Sequence, residues 1–334
     1  MNTGPPTVLV SAEVDDELRH ELVRRYDAVA QLESPLAESI AALESPVREC
    51  IRALIVRGSS RLTKANMSLL PSLQLIGCVG SGYEGIDIDG ARSLGIAVTN
   101  SPGASASSVA DLALGLTIGI ARRIGEGRAL LQRGTWPEQG GKSGDLVPGL
   151  TNRCLGIYGL GAIGEKIAMR ASACEMAVGY HSRRQRADVD YAWFASLLDL
   201  AHWADILVVA VPATRSTFHA VDHAVLAALG PRGYIINVAR GTVIDEPAMI
   251  ESLRNGTIAG AGLDVFDNEP DVSPALLSMP NVLATPHIGG NTGHGWERMR
   301  QMVLANVDAM FSGKPLLNPV PLPEAFAQED PSRT

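Results

Sequence analysis

The chain has 334 residues, 46% hydrophobic, 19% charged and only 4% aromatic, with a formal net charge of −8. That length accommodates two domains, and the acidic balance argues against nonspecific binding of nucleic acid. Four cysteines without a C-x-x-C pair argue against a disulfide frame or a metal site, and the most apolar stretch, 112–121, is far short of the ~20 residues of a membrane span.

Three of the four cysteines (Cys50, Cys78, Cys154 and Cys174) lie in or beside apolar runs and read as reduced core residues. The N-terminus lacks the basic start and long apolar run of a signal peptide. A soluble, cytoplasmic protein is expected, with no metal and with no nucleic-acid or membrane partner.

In chain order, 8–10 reads as a strand and 15–26 as an amphipathic helix with Leu18, Leu22 and Val23 inward. A second helix is expected over 35–43, a strand over 53–56, a helix over 63–70 and a strand over 73–79. A short helix over 88–94 and a strand over 96–99 follow. Strands alternating with helices imply a parallel sheet covered on both faces. The breaker cluster Asn100-Ser101-Pro102-Gly103 then marks the crossing to a second domain, entered by one long helix over 107–133. The Gly- and Pro-rich segment 134–151 reads as loop.

The stretch that follows organises the chain. Residues 154–158 form an apolar run expected to be a buried strand, and Gly159, Gly161 and Gly164 stand in G-x-G-x-x-G spacing before a helix over 162–173. Gly159 permits the tight turn, Gly161 lets backbone approach a pyrophosphate, and Gly164 lets helix pack on strand. The helix N-terminus offers unpaired N–H groups to the anion. Strand, glycines, helix and a second strand over 176–180 occur in the order a dinucleotide-binding unit requires.

Further strands are expected over 206–211, 234–238, 260–265 and 282–285, with helices over 221–229 and 247–255, the latter with Pro247 at its start. This is a doubly wound sheet, in which ligands sit at the carboxyl ends of the strands. The helix over 295–311 is too long for a tail and is expected to return to the first domain. No internal repeat is evident.

Three polar residues fall just beyond strand ends. Arg240 follows Ile236-Asn237-Val238-Ala239, Glu269 follows the strand ending at Val265, and His287 follows Thr285-Pro286. Singly these are a surface arginine, a loop carboxylate and a capping histidine. Together they form a kit for reducing a 2-oxo acid. A guanidinium holds the carboxylate and polarises the carbonyl. An imidazolium protonates the oxygen as hydride arrives, and a carboxylate favours the charged imidazole and fixes its tautomer.

The blocks Asn237-Val238-Ala239-Arg240-Gly241, Val265-Phe266-Asp267-Asn268-Glu269-Pro270 and Pro286-His287-Ile288-Gly289-Gly290 resemble the signatures of the D-isomer-specific 2-hydroxy-acid dehydrogenases. The likeness runs from about 53 to 321 and includes Val109-Ala110-Asp111-Leu112-Ala113. It implies two doubly wound parallel-sheet domains. A discontinuous flavodoxin-like substrate domain would span 1–100 and 290–334, and a Rossmann dinucleotide-binding domain 101–289. The active site would lie in the interdomain cleft of a homodimer.

The resemblance also implies roles: Arg240 for substrate, Glu269 and His287 as acid/base pair, and Asp264 near the nicotinamide carboxamide. Ser81 and Gly82 match the loop whose backbone N–H groups receive the substrate carboxylate. Arg57 either lines the same pocket or sits on the surface, and Tyr83 and Trp136 are either pocket walls or packing. Cofactor contacts carry over onto Ala162, Ile163, Pro212, Thr217, Val238, Gly289 and Gly290 beside the three motif glycines.

Within the family, His181-Ser182-Arg183-Arg184 and Tyr191-Ala192-Trp193-Phe194 resemble glyoxylate/hydroxypyruvate reductases and related aromatic 2-oxo-acid reductases. Glu269 separates the chain from the formate-oxidising branch, which has glutamine there. The small acids glyoxylate and hydroxypyruvate are the favoured substrates, with bulkier ones such as phenylpyruvate as the alternative.

An NAD-binding domain places a carboxylate about 20 residues past its glycines to hold the ribose 2′-OH. Here no acid occurs until Asp188. Ser182, Arg183 and Arg184 instead offer a hydroxyl and charge to a 2′-phosphate, so NADPH is expected over NADH. Transcriptional corepressors of the superfamily share the fold and the three polar residues. The missing ribose carboxylate speaks against a nucleotide-sensing binding protein of that kind.

Overall fold

The computed structural model describes residues 7–11, 14–26, 29–32, 35–135 and 147–320. Trp136 lies outside the described residues. By internal contacts the chain divides into two compact units, Met1–Ser105 with Gly293–Thr334, and Ala106–Thr292.

The first unit starts β1 (Thr7–Ser11), α1 (Asp16–Arg25), β2 (Val29–Leu32), α2 (Leu36–Ala42), α3 (Ser45–Cys50) and β3 (Ile51–Arg57). It continues α4 (Lys64–Met67), β4 (Leu75–Val79), α5 (Ile88–Ser93) and β5 (Ala97–Thr99). Asp15 caps α1 by accepting the Glu17 and Leu18 N–H groups, which supplies two of the orphan donors of a helix start. Leu18 and Leu22 face inward, whereas Val23, expected to do the same, is 52% exposed. The sheet is parallel in the order β2-β1-β3-β4-β5, the flavodoxin-like winding. All five residues of β4 are buried, as a strand covered on both faces must be.

Helix α4 is shorter than the expected 63–70. A capping box between Thr63 and Asn66 starts it well, but Pro71 bars the helical conformation at Leu70, and the chain leaves through tight turns at Leu69 and Leu70.

The second unit opens with α6 (Ala106–Ala121) and α7 (Ile124–Gln132). The single helix expected over 107–133 is therefore broken, at Arg123, which takes a left-handed backbone at φ 50°. No Gly, Pro or Asn marks the break, so periodicity alone runs straight through it. Packing tells the halves apart: α6 buries ten residues, and α7 buries none among the described residues.

Next come β6 (Cys154–Tyr158), α8 (Ala162–Ala173), β7 (Ala177–His181), β8 (Ala192–Phe194), α9 (Leu197–Trp203) and β9 (Ile206–Val209). Then follow α10 (His223–Leu229), β10 (Tyr234–Asn237), a 3-10 turn (Gly241–Val243), α11 (Glu246–Asn255), β11 (Gly260–Leu263), α12 (Pro274–Leu277) and β12 (Val282–Ala284). This parallel sheet runs β12-β11-β10-β9-β6-β7-β8. Its order reverses between β6 and β9, which is where doubly wound sheets open a crevice at their carboxyl edge.

Helix α13 (Gly293–Phe311) belongs to the first unit, with Met299, Val303, Leu304 and Val307 in one core with Ile55 and Leu75. Of the cysteines read as core, only Cys78 is buried; Cys50 is exposed, at the end of a helix that buries no side chain, and Cys154 and Cys174 are half-buried. All four are free thiols. No described helix is long and apolar enough to cross a membrane.

Candidate active site

At the carboxyl end of β6, Gly159 turns the chain with φ +102°, a left-handed region that only glycine enters freely. Gly164 lies so close under the turn that an added Cβ would stand 2.1 Å from the Gly159 carbonyl oxygen. Gly161 differs: a Cβ there would meet nothing within 4 Å, and it caps α8 with no side-chain bond. Gly161 therefore leaves room beside the start of a twelve-residue helix whose first N–H groups take no side-chain cap, with exposed Ala162 and half-buried Ile163 next to it. That cradle fits a pyrophosphate.

Past β7, the Ser182 hydroxyl donates to the Arg184 carbonyl oxygen at 2.7 Å, and Arg183 and Arg184 are exposed. Neither has an acidic partner among the described residues. Asp188, the first acid of this loop, is bound by Arg186, whose hydrogen bond holds its carboxyl below the usual range. Across the crevice, after β9, the Thr217 hydroxyl donates to the Pro212 carbonyl at 2.8 Å and accepts the Thr214 N–H at 2.8 Å, which closes that loop on itself.

Arg240 emerges from a turn fixed by Asn237. This buried amide accepts the Ala239 N–H at 3.1 Å and donates to the Arg240 carbonyl at 3.0 Å. The Arg240 guanidinium, half-buried, donates to the Ala239 carbonyl. Val238 is buried beside it.

Glu269 folds back on its own loop, with Oε1 accepting the Phe266 N–H at 3.0 Å. Its Oε2 lies 2.7 Å from His287 Nδ1. Burial pushes the Glu269 carboxyl up, but the hydrogen bonds from His287 and Phe266, and the charges of His287 and Arg240, hold it below its ordinary value. A carboxylate only accepts, so the shared proton belongs on Nδ1 and Nε2 is left for other chemistry.

His287 is held at φ 50°. The device that holds it is Asp264, 2% exposed at the end of β11. Asp264 Oδ1 accepts the Thr285 hydroxyl at 2.7 Å and the Ile288 N–H at 2.8 Å, and Oδ2 accepts the Gly289 N–H at 2.8 Å. Its backbone carbonyl takes the His287 N–H at 2.9 Å. Both carboxylate oxygens are therefore committed to the loop that carries His287 and Gly290. A Cβ on Gly289 would come within 2.9 Å of Oδ2.

In the first unit, Ser81 and Gly82 follow β4 on a loop entered through Gly80 at φ +104°. The Ser81 hydroxyl donates to the Ser101 carbonyl at 3.2 Å, and the Ser81 carbonyl accepts from Asn100 at 2.7 Å. The loop packs on Gly58, where a Cβ would stand 1.7 Å from the Gly82 oxygen. Arg57 lies with its guanidinium 5.6 Å from the Trp296 ring centroid, and Tyr83 packs against the core of its own unit. No group of three metal-ligating side chains occurs among the described residues.

Sequence reasoning misses two participants. Arg186 is one, visible in sequence only as a further arginine after Arg183 and Arg184. The clasp of Asp264 on Thr285 and Gly289 is the other, and it needs contacts across more than 20 residues.

A family model described as D-isomer specific 2-hydroxyacid dehydrogenase, NAD binding domain, matches residues 114–289. The glyoxylate/hydroxypyruvate reductase A of Arabidopsis thaliana is 38% identical over 315 residues, which is 94% of this chain and 98% of its own. The hydroxyphenylpyruvate reductase of Plectranthus scutellarioides is 38% identical over 271 residues, 80% of this chain and 85% of its own. A solved NADPH-dependent glyoxylate/hydroxypyruvate reductase from Sinorhizobium meliloti, in complex with NADP and malonate, superposes with a TM-score of 0.86. It is 37% identical, and the match covers 95% of this chain and 97% of that one.

Proposed function

Since the chain belongs to the D-isomer-specific 2-hydroxy-acid dehydrogenases, we propose that it reduces the small 2-oxo acids glyoxylate and hydroxypyruvate to D-2-hydroxy acids with NADPH. The observation that carries this reading is the His287–Glu269 pair at 2.7 Å, with Arg240 close enough to pull the Glu269 carboxyl down.

Gly159, Gly161, Gly164 and the first turn of α8 would hold the pyrophosphate, and Arg183 and Arg184 the 2′-phosphate. The bound nicotinamide dinucleotide supplies the hydride. The guanidinium of Arg240 pairs with the substrate carboxylate and polarises the adjacent carbonyl. Backbone N–H groups of Ser81 and Gly82 are further candidates for a substrate carboxylate; neither has a hydrogen-bond partner among the described residues. His287, charged and steadied by Glu269, gives the Nε2 proton to the carbonyl oxygen and ends neutral with its proton on Nδ1. The product is the 2-hydroxy acid, one hydride and one proton richer.

The likeness to a hydroxyphenylpyruvate reductase favours a second reading, in which the pocket takes bulkier acids. Comparing kcat/KM for glyoxylate, hydroxypyruvate and phenylpyruvate with NADPH decides between them. A large preference for phenylpyruvate installs the second reading.

A homodimer is part of the proposal. Ile124 and Leu131 are each 57% exposed on α7, seven residues apart and hence on one stripe, with Leu130 beside them at 41%. A second copy of the chain is the occupant we assign to that stripe. Light scattering should give a dimer for the wild type and a monomer for Ile124→Glu with Leu131→Glu; a monomeric wild type sinks the assignment.

A further inference from the structure

The loop after β7 carries three arginines, and they meet different fates. Arg183 and Arg184 stand exposed. Arg186 is committed on every side. Its Nη1 pairs with Glu165 in the first turn of α8 and reaches the Leu160 carbonyl oxygen, between Gly159 and Gly161, at 3.2 Å. Its Nε donates to Asp188 Oδ1 at 2.9 Å, and Nη2 pairs with Oδ2. Its backbone N–H donates to the Tyr180 hydroxyl at 2.8 Å, and Tyr180 is fully buried. The core therefore sets where this guanidinium sits.

We propose that Arg186 is a specificity-determining positioning residue, a clamp that neutralises Glu165 and Asp188 next to the ribose end of the cofactor site. The inference rests on the NADPH reading above. A carboxylate past the second strand selects NADH by taking the ribose 2′-OH and repelling a 2′-phosphate. The chain does have such a carboxylate, Asp188, only later in the loop than usual. A fork of two parallel bonds engages both its oxygens, which leaves it a weaker acceptor for a ribose hydroxyl and offsets its charge. Glu165, on the helix that faces the pyrophosphate, is screened by the same guanidinium. Arg183 and Arg184 are left as the cationic face of the loop.

The test is equilibrium titration with NADPH and with NADH, read by nicotinamide fluorescence without turnover. Arg186→Gln frees both Glu165 and Asp188; it should raise the Kd for NADPH at least roughly tenfold, because the freed Asp188 opposes the 2′-phosphate, and that for NADH by less than about twofold. Adding Asp188→Asn to Arg186→Gln should restore most of the NADPH affinity. Arg186→Lys, a milder change that keeps the charge, should hold NADPH within about threefold of wild type and below Arg186→Gln. Melting temperatures identify any variant that fails to fold, and Arg186→Lys then carries the comparison. Equal weakening of both cofactors would reduce Arg186 to a brace on Leu160 and overturn the proposal, as would a folded double variant without rescue. A wild type that binds NADH more tightly overturns the NADPH reading alone. The clamp then stands or falls on whether Arg186→Gln still lowers the affinity for NADPH relative to NADH.

Discussion

Gly241 and Phe266 meet backbone to backbone: a Cβ on Gly241 would lie 1.9 Å from the Phe266 carbonyl carbon and 2.0 Å from its oxygen. Gly241 directly follows Arg240, and Phe266 holds Glu269 through its N–H. This contact thus sets Arg240 against the loop of its neighbouring carboxylate. Backbone cannot move aside as a side-chain tip can.

Gly241→Ala should therefore cost stability and activity together. Overpacking of this kind costs about 1–3 kcal/mol or more. Thermal unfolding and kcat/KM should both fall. A variant with wild-type Tm and kcat/KM would show that the two loops have slack.

His287→Ala should lower kcat roughly 10²–10⁴-fold, the usual contribution of a positioned acid, with a smaller change in KM. Arg240→Ala should damage both, because it grips the carboxylate in the ground state and polarises the carbonyl in the transition state. Unchanged turnover in His287→Ala removes the histidine from the chemistry.

The pH behaviour follows from the sign of the Glu269 shift. The carboxyl titrates below its ordinary value in the folded chain, so its stabilising contribution is complete above the unfolded value, about 4.3. That contribution is lost as pH falls through the folded value. The Tm difference between wild type and Glu269→Gln should be flat above about pH 5 and close towards lower pH. A gap that widens on acidification contradicts the shift.

Asp264 offers a test of positioning. Asn in its place has one acceptor oxygen, and its NH2 group would face an N–H that now finds a carboxylate. Losing one hydrogen bond to a charged group costs about 1.5–3 kcal/mol. Asp264→Asn should therefore lower Tm and kcat, with His287 loosened although it is untouched. A variant of unchanged Tm would mean that Thr285 and Gly289 are held by something else.

What is legible in the sequence, and what is not, follows from the range of the forces involved. Glycine spacing reports local sterics, so the β6 turn and the start of α8 can be read from the chain, whereas the short edge strands β2 and β8 go unread and the winding of the sheets rests on the family resemblance. The pairing of Glu269 with His287 is legible because each follows a strand end, and strand ends share one edge of the sheet. The break at Arg123 has no local signature; it comes from the burial of α6 and the exposure of α7. Arg186 is illegible for a related reason. A long side chain chooses partners by tertiary distance, and Glu165 and Leu160 are 21 and 26 positions away.

The cofactor prediction turns on Arg183 and Arg184. Both are exposed, and among the described residues neither is tied to an acid. They are free to meet a phosphate without first breaking a pair. The hydroxyl proton of Ser182 is directed at the Arg184 carbonyl, so the arginines rather than the serine must supply most of the attraction. One hydrogen bond to a charged group contributes roughly 1.5–3 kcal/mol, which corresponds to about 10- to 150-fold in affinity. Arg183→Ala with Arg184→Ala should raise KM for NADPH by about that factor and leave KM for NADH nearly unchanged, because a 2′-hydroxyl draws little on a cation. The two residues lie outside the packed core, so Tm should hold. The salt dependence should change too: KM for NADPH in wild type should rise with ionic strength, and this slope should flatten in the double variant. Equal kcat/KM of the wild type with NADPH and NADH would remove the arginines from cofactor choice.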